Sequence, residues 1–117
     1  MNDQSAIYKI CTRQEWDAAV SVGEYLGSTV DLKDGFIHFS TRQQTRETAA
    51  KHFAGQSDLV LIRFESKQFG EQLKWEASRG GDLFPHLYAR LPTSSAASVV
   101  ALPLDADGSH QFPADFD

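Results

Sequence analysis

The stretch D-G-F-I-H-F-S-T, residues 34–41, reads as a core β-strand with a histidine set in its middle. Side chains alternate across a strand, so Ile37 and Phe39 share one face while Phe36, His38 and Ser40 share the other. Aromatic and β-branched residues suit pleated backbone, but nothing in building a strand requires His38. The stretch therefore predicts two things at once, an apolar face turned to a core and an opposite face that carries an imidazole into a site.

Outward from this strand the chain divides cleanly. A-I-Y-K-I-C (6–11) reads as a strand with Tyr8 and Ile10 on one side and Lys9 on the other. T-R-Q-E, starting at Thr12, is a capping box, which predicts a helix to about Val22 with Trp16, Ala19 and Val20 buried and Gly23 as its left-handed end. Residues 23–35 hold three glycines and no sustained period, which reads as a loop. T-R-Q-Q from Thr41 is a second capping box and predicts a helix over about 42–53, with Glu47 and Lys51 at favourable i, i+4 spacing. D-L-V-L-I-R-F-E (58–65) is too apolar for a wet face and reads as a central strand. Q-L-K-W-E-A (72–77), H-L-Y-A-R-L (86–91) and S-V-V-A-L-P-L (98–104) read as further strands, with R-G-G-D-L-F-P (79–85) as a loop. Two early helices among about six mostly antiparallel strands in a split or mixed sheet make an α+β domain, since no helix pattern follows residue 54.

The 117 residues fit one domain, ordered over about 6–104. Hydrophobic residues make up 41% of the chain, enough for a core. The N-terminal M-N-D-Q-S-A lacks the basic and apolar pattern of a secretory signal, and no segment approaches the ~20 apolar residues of a membrane span. A soluble, cytoplasmic protein is expected. One cysteine, Cys11, excludes an internal disulfide and a multi-cysteine zinc site. Net charge is −5, but Asp105, Asp107, Asp115 and Asp117 fall in a terminal stretch without Lys or Arg, which reads as a mobile acidic tail. The remaining body holds 12 acidic and 11 basic residues, which argues against a broad nucleic-acid grip and leaves room for a local cleft taking one small ligand.

Alternation identifies the residues of that cleft. His86, Tyr88 and Arg90 share one face of 86–91, and Lys74 and Glu76 share one face of 72–77. Converging with His38 and Ser40, they would supply an acid or base, a carboxylate, a cation and aromatic walls. Each has a structural alternative: a satisfied core histidine for His38, turn geometry after Pro85 for His86, a surface pair with Lys74 for Glu76. His52 suits a helix C-terminus, His110 lies in the acidic tail, and Arg42 and Arg46 form a helical face able to stay solvated or to meet a phosphate. Two histidines and a glutamate on three strands are a weak metal constellation, without H-E-x-x-H, and no metal is expected.

In their order along residues 7–104, I-Y-K-I, E-W-D-A-A with G-E-Y, D-G-F-I-H-F-S-T, L-K-W-E and F-P-H-L-Y-A-R-L-P resemble the bacterial domain-of-unknown-function family numbered 952. That resemblance implies a remote relation to the ADP-ribosyltransferase-like fold, in which NAD or an ADP-ribosylated intermediate lies in a cleft of a split antiparallel sheet. Carried over by order, Lys9 takes the first-strand position that holds ribose or phosphate, and His38, Ser40 and Thr41 shape the pocket. Glu76 takes the late-strand position that stabilises an oxocarbenium. The expected catalytic residues are Glu76, His38 and His86, and the expected nucleotide-binding residues are Lys9, Ser40, Thr41, Tyr88 and Arg90. Lys9 departs from the histidine that follows the first-strand tyrosine in the family, and lysine offers phosphate a point charge rather than a neutral imidazole. The expected function is NAD or ADP-ribose-type nucleotide binding with transferase-like chemistry. The alternatives are a non-catalytic metabolite- or partner-binding module and a metal-dependent hydrolase.

Overall fold

The structure, a computed structural model, describes residues 4–114 and Phe116, with Arg79 described through its backbone. In chain order its elements are β1 (Ala6–Thr12), α1 (Arg13–Val22), β2 (Glu24–Tyr25), α2 (Thr29–Asp34), β3 (Ile37–His38), β4 (Ser40–Thr41), α3 (Arg42–His52), β5 (Leu59–Glu65), β6 (Leu73–Ala77), β7 (Leu83–Leu87), β8 (Leu91–Pro92) and β9 (Ala96–Leu102). The strands form sheets in the orders β4-β1-β5-β9, β3-β7-β6 and β2-β8, and all the pairings between them are antiparallel. The α+β class is as expected. In place of about six strands in one split sheet with two helices, the described residues hold nine short strands in three sheets and three α-helices.

The stretch 36–41 joins two of those sheets. Ile37 and His38 pair with Leu87 and His86, whereas Ser40 and Thr41 pair with Tyr8 and Ile7. Between them the Phe39 amide donates to the Pro85 carbonyl at 3.0 Å. Proline has no N–H to return that bond, so the ladder closes from one side only and β3 is released from its sheet there. The Phe39 ring, buried with Ile37, packs edge-on to Phe64 at 5.5 Å, which draws the released chain across the core. This transfer breaks the simple alternation expected from the sequence, and Ser40 is buried rather than set beside His38.

The loop expected over 23–35 contains β2 and α2. Ser28 caps α2 by accepting from the Asp31 amide at 3.4 Å, and the Asp31 carboxylate accepts from the Ser28 amide at 3.0 Å, a capping box built with aspartate. Gly35, at φ 86°, ends it in the left-handed region. At the other correction, β7 begins at Leu83 inside the expected loop and stops at Leu87, so 86–91 is not one strand. In α1 the capping box at Thr12 and Glu15 is present and Trp16 and Ala19 are buried, but Val20 is 53% exposed.

Sheet β4-β1-β5-β9 has an apolar core on each side. Val60, Ile62 and Phe64 of β5 face the larger core with Trp16, Phe39 and Leu87, and Leu59 and Leu61 face the smaller with Tyr8, Ala49 and Leu102. Of the stretch 105–117, read as a mobile acidic tail, Asp115 and Asp117 lie outside the described residues; the Arg46 guanidinium of α3 lies 4.6 Å over the Phe112 ring, and Phe116 closes the smaller core. Its ring meets Tyr8 edge-on at 5.1 Å, and its carbonyl accepts from Arg42 Nη1 at 2.6 Å. Among the described residues no helix is long and apolar enough to cross a membrane. Phe116→Ala should cost about 3 kcal/mol, as for other large-to-small core changes. A urea midpoint equal to that of the wild type would show that the smaller core closes without this ring.

Candidate functional site

The site has a buried half and an exposed half, both meeting at His38. On β1 the side chain of Lys9 turns inward and is almost fully buried. An unpaired ammonium there would carry a heavy desolvation cost, and Asp31 offsets it. Lys9 Nζ donates to Asp31 Oδ2 at 2.7 Å and to the His38 carbonyl at 2.9 Å. The other oxygen, Asp31 Oδ1, meets the His38 ring at Nδ1 at 2.6 Å and accepts from the His38 backbone amide at 3.1 Å. Asp31 is 2% exposed. Burial alone would raise its carboxyl, but the His38 hydrogen bond and the Lys9 charge outweigh that, so the group is held well below the usual carboxylate range.

The second ring nitrogen, His38 Nε2, faces Asp34 Oδ2 at 3.0 Å. Each ring nitrogen thus faces its own carboxylate, Nδ1 the buried one and Nε2 the exposed one. Gly27 makes room for the arrangement. It lies at φ 117°, and a Cβ there would stand 2.6 Å from the Asp31 Cβ.

The exposed half lies on sheet β3-β7-β6. His38 stands opposite His86, which stands opposite Lys74, forming one row across the three strands. His86 Nδ1 and the Tyr88 hydroxyl meet the same oxygen, Glu76 Oε1, at 2.8 and 2.7 Å. The His86 bond, then that of Tyr88, lowers the Glu76 carboxyl below its ordinary value, and the bond to Glu76 raises the Tyr88 hydroxyl. Glu76 Oε2 takes no hydrogen bond among the described residues. Phe36 ties the two halves together, stacked on His86 at 4.2 Å and lying 4.6 Å from the His38 ring and 5.1 Å from that of Tyr88.

His38, His86, Glu76 and Tyr88 are thus brought together. Four other expected residues are placed elsewhere. Lys9 is paired inside the protein. Ser40 Oγ bonds Thr48 Oγ1 at 2.9 Å, and Thr41 is fully buried as the cap of α3. Arg90 is exposed and reaches Glu24 at 3.5 Å. Phe36, read on the His38 face, lies in the site, and Asp31 and Asp34 join it without having been expected there; the word S-T-V-D, a capping box just before D-G-F-I-H, is the signal that points to them. Burial, then the Glu15 charge, pushes the Cys11 thiol up to about 12, which makes it a poor nucleophile. Among the described residues no group of three His, Cys, Asp or Glu side chains is placed to hold a metal ion.

A family model described as "Protein of unknown function (DUF952)" matches residues 10–99. The crystal structure of protein CC0527 from Caulobacter crescentus is similar at 57% identity and a TM-score of 0.88, with 91% of this chain and 93% of that one covered. A solution NMR structure of CC0527 is similar at 56% identity and a TM-score of 0.83, with 92% of each covered. No curated protein matches the chain.

Asp31→Asn should destabilise the protein by about 3–5 kcal/mol at neutral pH, because it leaves Lys9 buried against a neutral group. A carboxyl held lower in the folded chain than its unfolded value of about 3.9 stabilises above that pH and loses the contribution as pH falls below it. The gap between the urea midpoints of wild type and variant should therefore begin to narrow below about pH 4 and go on narrowing as pH falls toward the folded value. A gap that stays constant from pH 7 to pH 3 would assign the loss to something other than the charge.

Proposed function

The chain belongs to the DUF952 family, whose members are of unknown function, and from its site we propose that it binds NAD or a related ADP-ribose-type nucleotide on the face of Phe36, His38, Lys74, Glu76, His86 and Tyr88. The reading rests on one observation, the state of Glu76. Two donors hold a single carboxylate oxygen, the carboxyl is kept ionised, and the second oxygen is left to a ligand. A carboxylate fixed in this way suits a vicinal diol, which offers two hydroxyl donors, or a positive charge developing at a sugar carbon. Around it lie aromatic surface for a flat ring on Phe36 and Tyr88, and the Lys74 cation for a phosphate.

On this reading the chain is a remote relative of the ADP-ribosyltransferase-like fold, and Glu76 stabilises the ribosyl cation as the glycosidic bond breaks and nicotinamide leaves with the bonding electrons. His86 then serves mainly to orient Glu76. Lys9 has no part in holding phosphate, because it is committed to Asp31. A second reading, binding without turnover, is favoured by the engagement of both His38 nitrogens, which leaves His38 no free nitrogen to activate an acceptor.

Titration of NAD into isotope-labelled protein tests the proposal. Saturable shifts at the His38 and His86 rings and at residues 74–77 are expected, with affinity about tenfold weaker in Glu76→Gln, since a charge-assisted acceptor is lost. Nicotinamide release measured on the same samples, and abolished by Glu76→Gln, would support transfer; binding without release would support the second reading. If NAD shifts none of these signals, the nucleotide assignment is wrong.

A further inference from the structure

We propose that the Nε2 edge of His38 is an anion subsite, closed in the free protein by Asp34, whose carboxylate stands where a phosphate or carboxylate of the ligand binds. Only the identity of the ligand as a nucleotide rests on the reading above.

Charge and anchoring distinguish the two aspartates. The buried Asp31 is already matched by the Lys9 ammonium, whereas Asp34 faces the His38 ring from the surface. Asp31 is fixed by Lys9, by the His38 ring, by the His38 amide and by the Ser28 amide. Among the described residues Asp34 meets only the His38 ring; it is 40% exposed and sits as the last residue of α2, where the exposed carbonyl ends repel an acid. Asp31 is thus the fixed counter-ion and Asp34 the replaceable one.

The chemistry of the vacated position is that of a small anion beside a ring. With Asp34 swung outward, the His38 Nε2 edge is held from behind by Asp31 and reached from solvent, since its side chain is 32% exposed. Phe36 lies 4.6 Å from the imidazole and His86 5.3 Å, so a group bonded to Nε2 would adjoin an aromatic wall. Among the described residues the other charged groups of the face are Glu76 and Lys74, on the far side of His86. Phosphate or pyrophosphate suits the Nε2 donor, and a nucleoside attached to it would adjoin the ring. Asp34 would set specificity by excluding ligands too weakly anionic to displace it.

Inorganic pyrophosphate is the probe, titrated by calorimetry and followed at the His38 ring nitrogens by NMR. Asp34→Asn should bind it about tenfold tighter than wild type, the loss of one competing ion pair corresponding to ~1.4 kcal/mol. Asp17→Asn, on the exposed side of α1, changes the net charge equally and should leave affinity unchanged. His38→Gln placed on Asp34→Asn should remove the gain. Equal affinity in Asp34→Asn and wild type, or an equal gain in Asp17→Asn, would overturn the subsite. NAD titrated into the same proteins separates the two ideas. Tighter pyrophosphate binding with no response to NAD keeps the subsite and ends the nucleotide reading. NAD binding at Glu76 that ignores Asp34→Asn does the reverse.

Discussion

One carboxylate organises this protein. Asp31 is buried between the first strand, its own short helix and the strand that carries His38, and it satisfies a donor from each. A buried ammonium and a buried carboxylate each lose several kcal/mol of hydration, so neither is tolerable alone, and together they need the extra donors found here. The result is less a source of net stability than a specification. This placement of α2 leaves Lys9, the Ser28 amide and the His38 amide all satisfied.

From that anchor the site acquires two histidine–carboxylate pairs of opposite design. In the first, the carboxylate is deep and the imidazole reaches outward. In the second, His86 is buried and Glu76 reaches outward. Phe36 covers both rings. One pair therefore presents a ring edge and the other a carboxylate within a single aromatic setting.

Much of this was legible in the residues. Both outer capping boxes could be read because they are local bonds between positions three apart. The central position of β5 followed from its lack of any polar stripe, and the shared face of His86, Glu76 and Lys74 from strand alternation. What could not be read is tertiary. The Lys9–Asp31 pair spans 22 residues, and no local pattern announces it. Helix α2 hid because it has six residues and turns Val30 and Leu32 outward, against the usual sense of an apolar stripe. Ser40 was misplaced because alternation holds only while a strand stays in one sheet, and the missing N–H of Pro85 ends that condition at Phe39.

The capping word G-S-T-V-D, residues 27–31, carries a further consequence in its spacing of obligations. Gly27 admits no side chain, Ser28 must offer both an oxygen and an amide, and Asp31 must offer both carboxylate oxygens. Thr29 and Val30 between them point to solvent and answer to nothing but helix formation. Substitution tolerance along this segment should thus be all-or-none, with two freely variable letters enclosed by three that cannot drift singly. A chain that lost Asp31 alone would leave Lys9 buried without its counter-charge, so the first strand and the short helix are coupled through that pair.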